Sequence, residues 1–437
     1  MDSLQIGIVG IIFALGFILL RIPIGVSLGL VSIVGIAMLT SWDVSLSLIT
    51  STPYNFVGQW ELSAAPMFLL MGYLCTTTNL TNGIFKFLQM LLYKIPGGLA
   101  ISSVIACALF SAASGSSVAT SGAMSKIAIP EMLKRGYNPS LATSTVAAAG
   151  TLGSLIPPSV ILVLYGVYAN VSIGQLFMAG VLPGLLTAFL FIAMIWLRCR
   201  HNPRLYGVDQ NEKYSMQEIM QGFLHIWPLP TLIAFVIGGI FFGLFSPTEA
   251  GAIGSVVTLF IAALKRTLSL NAIKEAIKDT AYSTASIFLI MIGSLFFTKF
   301  LALSGVPEAF THFILSINQE QWWVVLSVII LYLFLGMFID SIGILLLTLP
   351  ILLPLVEAAN LNLIWFGILV TKMLEVGLVT PPVGLNVYVI KATVPGDIPL
   401  QTIFRGVFWF ILCDMVFLLL IYCFPEIVTY LPSIMRT

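Results

Sequence analysis

The chain has 437 residues, of which 8% are charged and 59% are hydrophobic, and its mean hydropathy is +1.06. A soluble domain of this size needs far more charge to cover its surface, so the composition excludes a soluble protein. The net charge of +1 and the lack of a large basic patch also argue against nucleic-acid binding.

Long apolar blocks run through the whole chain, among them 4–20, 24–40, 174–197 and 401–424. Each is about long enough to cross ~30 Å of hydrocarbon as a helix that rises ~1.5 Å per residue. The first block follows Asp2 and no basic residue, so we interpret it as a retained span rather than a cleavable signal. The pattern predicts an all-α integral membrane protein with ten spans and two hairpins.

The basic residues predict the orientation of these spans. Segment 41–63 contains no Lys or Arg, whereas 198–213 and 265–278 each contain four. Because loops rich in Lys and Arg face the cytoplasm, both termini should lie on the periplasmic side of a bacterial inner membrane.

An internal repeat connects the two halves of the chain. Residues 130–158 match 354–382 without a gap, at a constant offset of 224 residues from Pro130 to Pro354. Asn138 then falls on Asn362, Gly153 on Gly377, and the pair Pro157-Pro158 on Pro381-Pro382. A doubled proline with a glycine upstream is unusual enough to indicate a structural repeat.

Charges at the ends of two further segments indicate that the repeats are inverted. Segment 98–133 has a polar centre at 114–117 and basic residues on both flanks, so it should enter from the cytoplasm and return. Segment 322–356 has its polar centre at 340–343, and its flanks lack Lys and Arg, so it should enter from the opposite face. Two re-entrant hairpins from opposite faces are typical of inverted-repeat transporters.

Each predicted hairpin precedes a helix that should be broken. The first runs 139–168 with its break at 153–158, and the second runs 362–392 with its break at 377–382. Two consecutive prolines end a helix, and the freed carbonyls can bind a small hard cation where they line a cavity. Half-helix N-termini suit a substrate carboxylate. A kink that serves packing alone is the alternative interpretation.

Charged residues within apolar segments are the other candidates for function. We interpret Asp340, at the centre of the second hairpin, as an ion ligand or a clamp on the tip, with a purely structural helix cap as the alternative. Lys372 and Glu375 lie three residues apart on one helix, which favours a local ion pair over the alternative, a contact with substrate. Asp414 should take a partner on another helix.

Six motifs together resemble the large membrane subunit of tripartite ATP-independent periplasmic (TRAP) transporters, over essentially the whole chain. They are the stretches at 114–122, 130–137, 150–159, 245–251, 336–340 and 380–384. The resemblance implies an elevator-type carrier in which a transport part slides against a fixed scaffold. The scaffold, each half with an arm helix, would comprise 1–95 and 228–318, the transport part 96–200 and 319–437, and a cytoplasmic loop 201–227.

The resemblance also implies two sodium sites, a substrate site and partners. The sodium sites would involve Ser114, Ser117, Gly150, Gly153 and Pro157 in the first repeat, and Gly336, Asp340, Gly377, Thr380 and Pro381 in the second. Substrate would lie near Ser116, Thr120, Ser154 and Ser341. The implied function is sodium-coupled uptake of a small organic anion, such as a C4-dicarboxylate or a sialic acid. The implied partners are a small four-span membrane subunit and a periplasmic solute-binding protein.

Other functional classes fit the sequence less well. The three histidines lie near predicted span ends, away from the hairpin serines, so a serine nucleophile would lack a base and an enzyme is not expected. No nucleotide-binding GxxxxGK[ST] motif occurs, which disfavours ATP-driven transport by this chain. An ion channel is a weaker alternative, and an ion-coupled carboxylate carrier that works without a binding protein is the main one.

Overall fold

The computed structural model describes residues 2–81, 83–207, 214–394 and 398–435. In these ranges the regular structure is helical, as predicted. The first half of the chain contributes the helices α1 (Ser3–Leu19), α2 (Ile24–Leu39), α3 (Trp42–Val57), α4 (Ala64–Thr77), α5 (Ile84–Leu92), α6 (Gly98–Ser114), α7 (Ser117–Lys134), α8 (Pro139–Gly150), α9 (Leu152–Leu155), α10 (Val160–Tyr168) and α11 (Ile173–His201).

The second half of the chain contributes the remaining helices. Its helices are α12 (Met216–Ile226), α13 (Pro228–Phe241), α14 (Pro247–Leu264), α15 (Leu270–Ser304), α16 (Val306–Ile317), α17 (Gln321–Gly336), α18 (Ser341–Ala358), α19 (Leu363–Gly377), α20 (Leu385–Thr393), α21 (Leu400–Cys423) and α22 (Glu426–Ile434). The sequence analysis did not predict α3, α12 or α22. The predicted loop 201–227 contains α12, and its residues 208–213 lie outside the described ranges.

The repeat is visible in the helix boundaries. Asn138 and Asn362 both cap the N-terminus of the following helix with their side chains. At the same offset, Ser116 caps α7 and Asp340 caps α18. Matched caps satisfy the same free backbone donors at the start of each helix, so the two halves use the same local solution.

Packing between the halves is reciprocal. Helix α2 of the first half packs on α15 of the second, and α14 of the second packs on α4 of the first. Helix α8 packs on α21, and α11 packs on α19. Each half therefore completes the other, and most of the buried apolar residues form one continuous core.

Five helices in the described ranges are long and apolar enough to cross a bilayer, or seven if each of two bent pairs counts as one span. The predicted total of ten is not reached by this criterion, since α1 and α2 have only 17 and 16 residues. Helix α18, one limb of the second predicted hairpin, is among the five. Length alone therefore does not identify that limb as re-entrant.

Both predicted helix breaks are present. The first separates α9 from α10 with a bend of 40° between Pro139–Leu155 and Val160–Tyr168, and the second separates α19 from α20. The Pro157-Pro158 and Pro381-Pro382 bonds, one in each break, are both cis. Ser159 caps α10 with its side chain, whereas Gly384, with φ of 63°, precedes α20. The second restart therefore lacks a side-chain cap.

Candidate functional site

The tip between α6 and α7 is a tight turn of hydroxyl-bearing residues. Gly115 adopts the left-handed φ of 61° that ends α6, and the Ser116 side chain accepts a hydrogen bond from the Ala119 amide. Ser114 Oγ lies 3.0 Å from Thr120 Oγ1, and that hydroxyl also lies 2.8 Å from the Ser116 carbonyl oxygen. The tip is thus held by hydrogen bonds among its own residues.

The first helix break packs directly against this tip. A Cβ at Gly153 would lie 2.8 Å from the backbone nitrogen of Ser117, so only glycine permits this approach. Ser117 Oγ lies 2.9 Å from Ser154 Oγ. Gly150 makes a similar close approach to Ser121 on α7. The structure therefore brings predicted sodium-site residues of the hairpin and of the break into contact.

The second tip is built on the same plan but carries a charge. Asp340 Oδ2 accepts a hydrogen bond of 3.2 Å from the Gly343 amide and so caps α18. At the end of α17, a Cβ on Gly336 would lie 2.7 Å from the Cα of Gly377. The helix-cap interpretation of Asp340 is therefore correct as a contact, and its role as an ion ligand stays a prediction. Thr380 donates to the Val376 carbonyl at 2.6 Å, beside Pro381.

Both tips face one cavity of about 390 Å³, a size typical of small-molecule sites. Helices α4 and α15 also line this cavity, and there Tyr73 Oη lies 2.7 Å from Ser283 Oγ. Six predicted site residues line this cavity: Ser114, Ser116, Ser117, Ser154, Asp340 and Ser341. The remaining predicted residues are not among the lining residues: Thr120, Gly150, Gly153, Pro157, Gly336, Gly377, Thr380 and Pro381.

The sequence analysis missed the role of Glu375 in this cavity. Glu375 is 1% exposed, lines the cavity, and its Oε2 accepts a hydrogen bond of 2.5 Å from Ser117 Oγ. The ion pair expected with Lys372 is wrong, because Lys372 Nζ lies 2.6 Å from Asp414 Oδ1 on α21. The available signal was a charged residue two positions before Gly377 of the predicted second sodium site, and spacing on one helix was the wrong criterion.

The charges around the cavity are unbalanced. Asp340 and Glu375 line it, and none of its lining residues in the described part of the chain is Lys, Arg or His. Positive potential comes instead from the N-termini of α7 and α18, whose first residues Ser117 and Ser341 line the cavity. The Ser341 hydroxyl is buried without a hydrogen-bond partner among the described residues. An anion would therefore need helix dipoles or additional cations to bind here.

Comparison with known proteins gives relatives of nearly the same length. The chain is 34% identical over 436 residues to the sialic acid TRAP transporter large permease protein SiaM of Vibrio cholerae, covering 98% of each chain. It is 30% identical to the C4-dicarboxylate TRAP transporter large permease protein DctM of the same species, covering 97% of each.

The solved structure of the YdaH transporter from Alcanivorax borkumensis is similar, with a TM-score of 0.64 at 14% identity, and covers 95% of this chain and 98% of that one. That identity supports a shared fold alone. The family model for the DctM component of tripartite ATP-independent periplasmic transporters matches residues 11–427. The chain therefore belongs to this family of multi-pass membrane transporters, the large permease components of TRAP transporters.

Proposed function

We propose that this permease takes up a small organic anion together with sodium ions, and that the anion binds in the cavity between the two tips. The named relatives carry sialic acid and C4-dicarboxylates, which are both carboxylates. Substrate contacts would come from the hydroxyls of Ser116, Ser154 and Ser341, which line the cavity, while Thr120 would support the tip by donating to the Ser116 carbonyl.

The charge of the cavity is the observation that carries this proposal. An anion that enters would meet Asp340 and Glu375 with no Lys, Arg or His among the described lining residues. Like charges in a low-dielectric site repel strongly, so the anion needs bound cations as well as helix N-termini. Sodium, which prefers oxygen ligands as other hard cations do, fits carbonyls, hydroxyls and carboxylates. Binding of the anion and of sodium would then be coupled by electrostatics.

The two sodium sites are proposed where each tip meets its helix break. The first would use Ser114, Ser117, Gly150, Gly153 and Pro157, and the second Gly336, Asp340, Gly377, Thr380 and Pro381. The close approaches of Gly153 to Ser117 and of Gly377 to Gly336 support these groupings. Broken helices at such a position leave backbone carbonyls free to bind a cation.

We further propose an elevator mechanism. The scaffold, 1–95 and 228–318, would stay fixed while the transport part, 96–200 and 319–437, carries both tips across the membrane. The cavity supports this division, because α4 and α15 of the proposed scaffold and both tips of the proposed transport part line it. The arm helices would be α5 and α16, which immediately precede the two hairpins.

Membership of the TRAP family supports two partner components. The proposed partners are a small four-span membrane subunit and a periplasmic solute-binding protein that delivers the anion. The proposed location is the bacterial inner membrane with both termini in the periplasm.

Reconstitution with both partners in proteoliposomes tests the proposal. We expect saturable uptake of sialic acid or of a C4-dicarboxylate that requires an inward sodium gradient and the binding protein, and that stops when choline replaces sodium. Equal uptake in sodium and in choline would refute sodium coupling. Full uptake without the binding protein would favour the alternative, an ion-coupled carboxylate carrier that works alone.

A further inference from the structure

Glu375 is a buried carboxylate that the proposed sodium sites do not use. It lies on α19 of the second repeat, yet its Oε2 accepts a hydrogen bond from Ser117 at the tip of the first hairpin. Its other oxygen, Oε1, is buried and has no hydrogen-bond partner among the described residues. A buried polar atom left without a partner costs free energy, and a charged one costs more. The arrangement therefore calls for a further positive group.

Lys372 does not supply that group. Its ammonium lies 2.6 Å from Asp414 and also lies over the rings of Phe191 and Phe417, at 5.4 and 5.1 Å from their centroids. Lys372 and Asp414 are each about 2% exposed and together are neutral. The three buried charged residues of this region therefore sum to one negative charge, which Glu375 carries.

The direction of the hydrogen bonds shows where a cation would lie. An ionised carboxylate can only accept, so Ser117 must donate its single hydroxyl proton to Glu375. Ser154 Oγ, 2.9 Å from Ser117 Oγ, can donate its one proton to Ser117 in turn. The lone pairs of Ser154 and the free Oε1 of Glu375 remain as acceptors, and both residues line the cavity. Oxygen acceptors of this kind are ligands for an alkali-metal ion rather than for an anion.

We propose that Glu375 is the charged ligand of a sodium ion at the tip of the first hairpin, assisted by the Ser154 hydroxyl. The inference rests on the proposed sodium coupling and adds to it a carboxylate from the other repeat. The first repeat has no acidic residue at its own tip, where Ser116 stands at the position of Asp340. Glu375 thus gives the first site the negative charge that Asp340 gives the second, and one ion would join the two repeats.

Sodium-dependent thermal stabilisation of the purified full chain tests this. Melting is followed while NaCl replaces choline chloride at constant ionic strength, in wild type, Glu375→Gln, Glu375→Asp and the exposed-carboxylate control Glu357→Gln. Gln keeps an acceptor for Ser117 but loses the charge, so half-saturation should need at least about tenfold more sodium, a loss typical of damaged metal sites. Glu375→Asp should fall between, and Glu357→Gln should match wild type.

The outcomes separate this inference from the proposed function. If wild type and Glu375→Gln respond to sodium over the same concentrations, the carboxylate is not a ligand and sodium coupling stands; neutralisation by a proton predicts this result. If wild type shows no difference between sodium and choline, both proposals fail. Should Glu375→Gln not fold, Glu375→Asp and Ser154→Ala decide: unchanged sodium half-saturation in both would overturn the inference.

Discussion

The two hairpin tips share a backbone plan but differ in charge. Ser116 and Asp340 occupy matched positions, cap the helices that follow, and line the same cavity. At the same offset, Lys372 corresponds to Ala148 and Glu375 to Thr151, so at these three matched positions only the second repeat carries a charge. The two repeats therefore share their backbone geometry, but they differ in the charge of the side chains at these positions.

The charged side chains of the second repeat also change how its broken helix is held. The first repeat surrounds its break with small residues and hydroxyls, and the second holds an ion pair between α19 and α21. A lone charge inside a membrane protein is costly, so the pair fixes the second broken helix against its neighbour. The first break has no such ion pair and is held by glycine contacts with its tip, a kind of contact that the second break also makes.

The largest expected effect comes from breaking the ion pair. Lys372→Met leaves the Asp414 carboxylate buried without its cation and should cost about 3–5 kcal/mol of stability. Thermal unfolding in detergent should show a clear drop, and Lys372→Met/Asp414→Leu should recover most of it. Lys299→Met is the matched control, because Lys299 bonds only the neutral Thr52 hydroxyl at 2.8 Å among the described residues. Equal losses in the two single variants would contradict this expectation.

A smaller loss should follow when the helix contact of the second repeat is widened. In Gly377→Ala, the new Cβ would lie 2.6 Å from the Cα of Gly336, and overpacking of this kind costs about 1–3 kcal/mol. We expect a lower melting temperature and reduced uptake. Gly238→Ala is the matched control, since nothing lies within 4 Å of its new Cβ.

Gly153→Ala makes the corresponding change in the first repeat, against the tip backbone. Should Gly377→Ala melt and transport like Gly238→Ala, the glycine contact would have no role in holding the second site.

Asp340 and Ser116 cap matched helices, but only Asp340 carries a charge. Asp340→Ala removes both the cap and the charge, and sodium-dependent uptake should fall about tenfold while membrane insertion stays intact. Asp340→Asn preserves an N-cap and should lose nearly as much uptake if the charge binds an ion. Ser116→Ala removes a cap and a proposed substrate hydroxyl but no charge, so its sodium dependence should stay closer to that of wild type. Wild-type sodium dependence of Asp340→Asn in proteoliposomes would leave the cap as the role of this residue.

The smallest expected effect comes from cysteine substitutions that report how the chain is oriented in the membrane. These substitutions should leave stability and transport unchanged. Cysteines at Lys134 and Glu357, both exposed at the far ends of α7 and α18, should label from opposite faces of the membrane. The background variant is Cys423→Ser, which removes the exposed native cysteine. Labelling of both positions by an impermeant reagent from the same side would refute the inverted topology.

Much of the fold was predictable because its signals are local. Doubled prolines end helices wherever they stand, and the breaks after Gly153 and Gly377 occur within the predicted segments. The hairpin limbs predicted at 98–133 and 322–356 differ by at most two residues from α6–α7 and α17–α18 at their outer ends. Helix α3 was missed because it carries many polar residues. Helix α22 was missed because it is short and lies beyond the last long apolar block.

The sequence by itself determined the membrane class, the repeat, the two breaks and the candidate hydroxyl groups, since composition, proline chemistry and capping act over a few residues. Only the tertiary structure decided which charges meet. Lys372 pairs with Asp414 rather than with Glu375, and Glu375 instead contacts Ser117, 258 residues away in sequence. Such partners depend on how α19 is rotated against α21 and the first tip, and spacing along one helix does not determine that rotation.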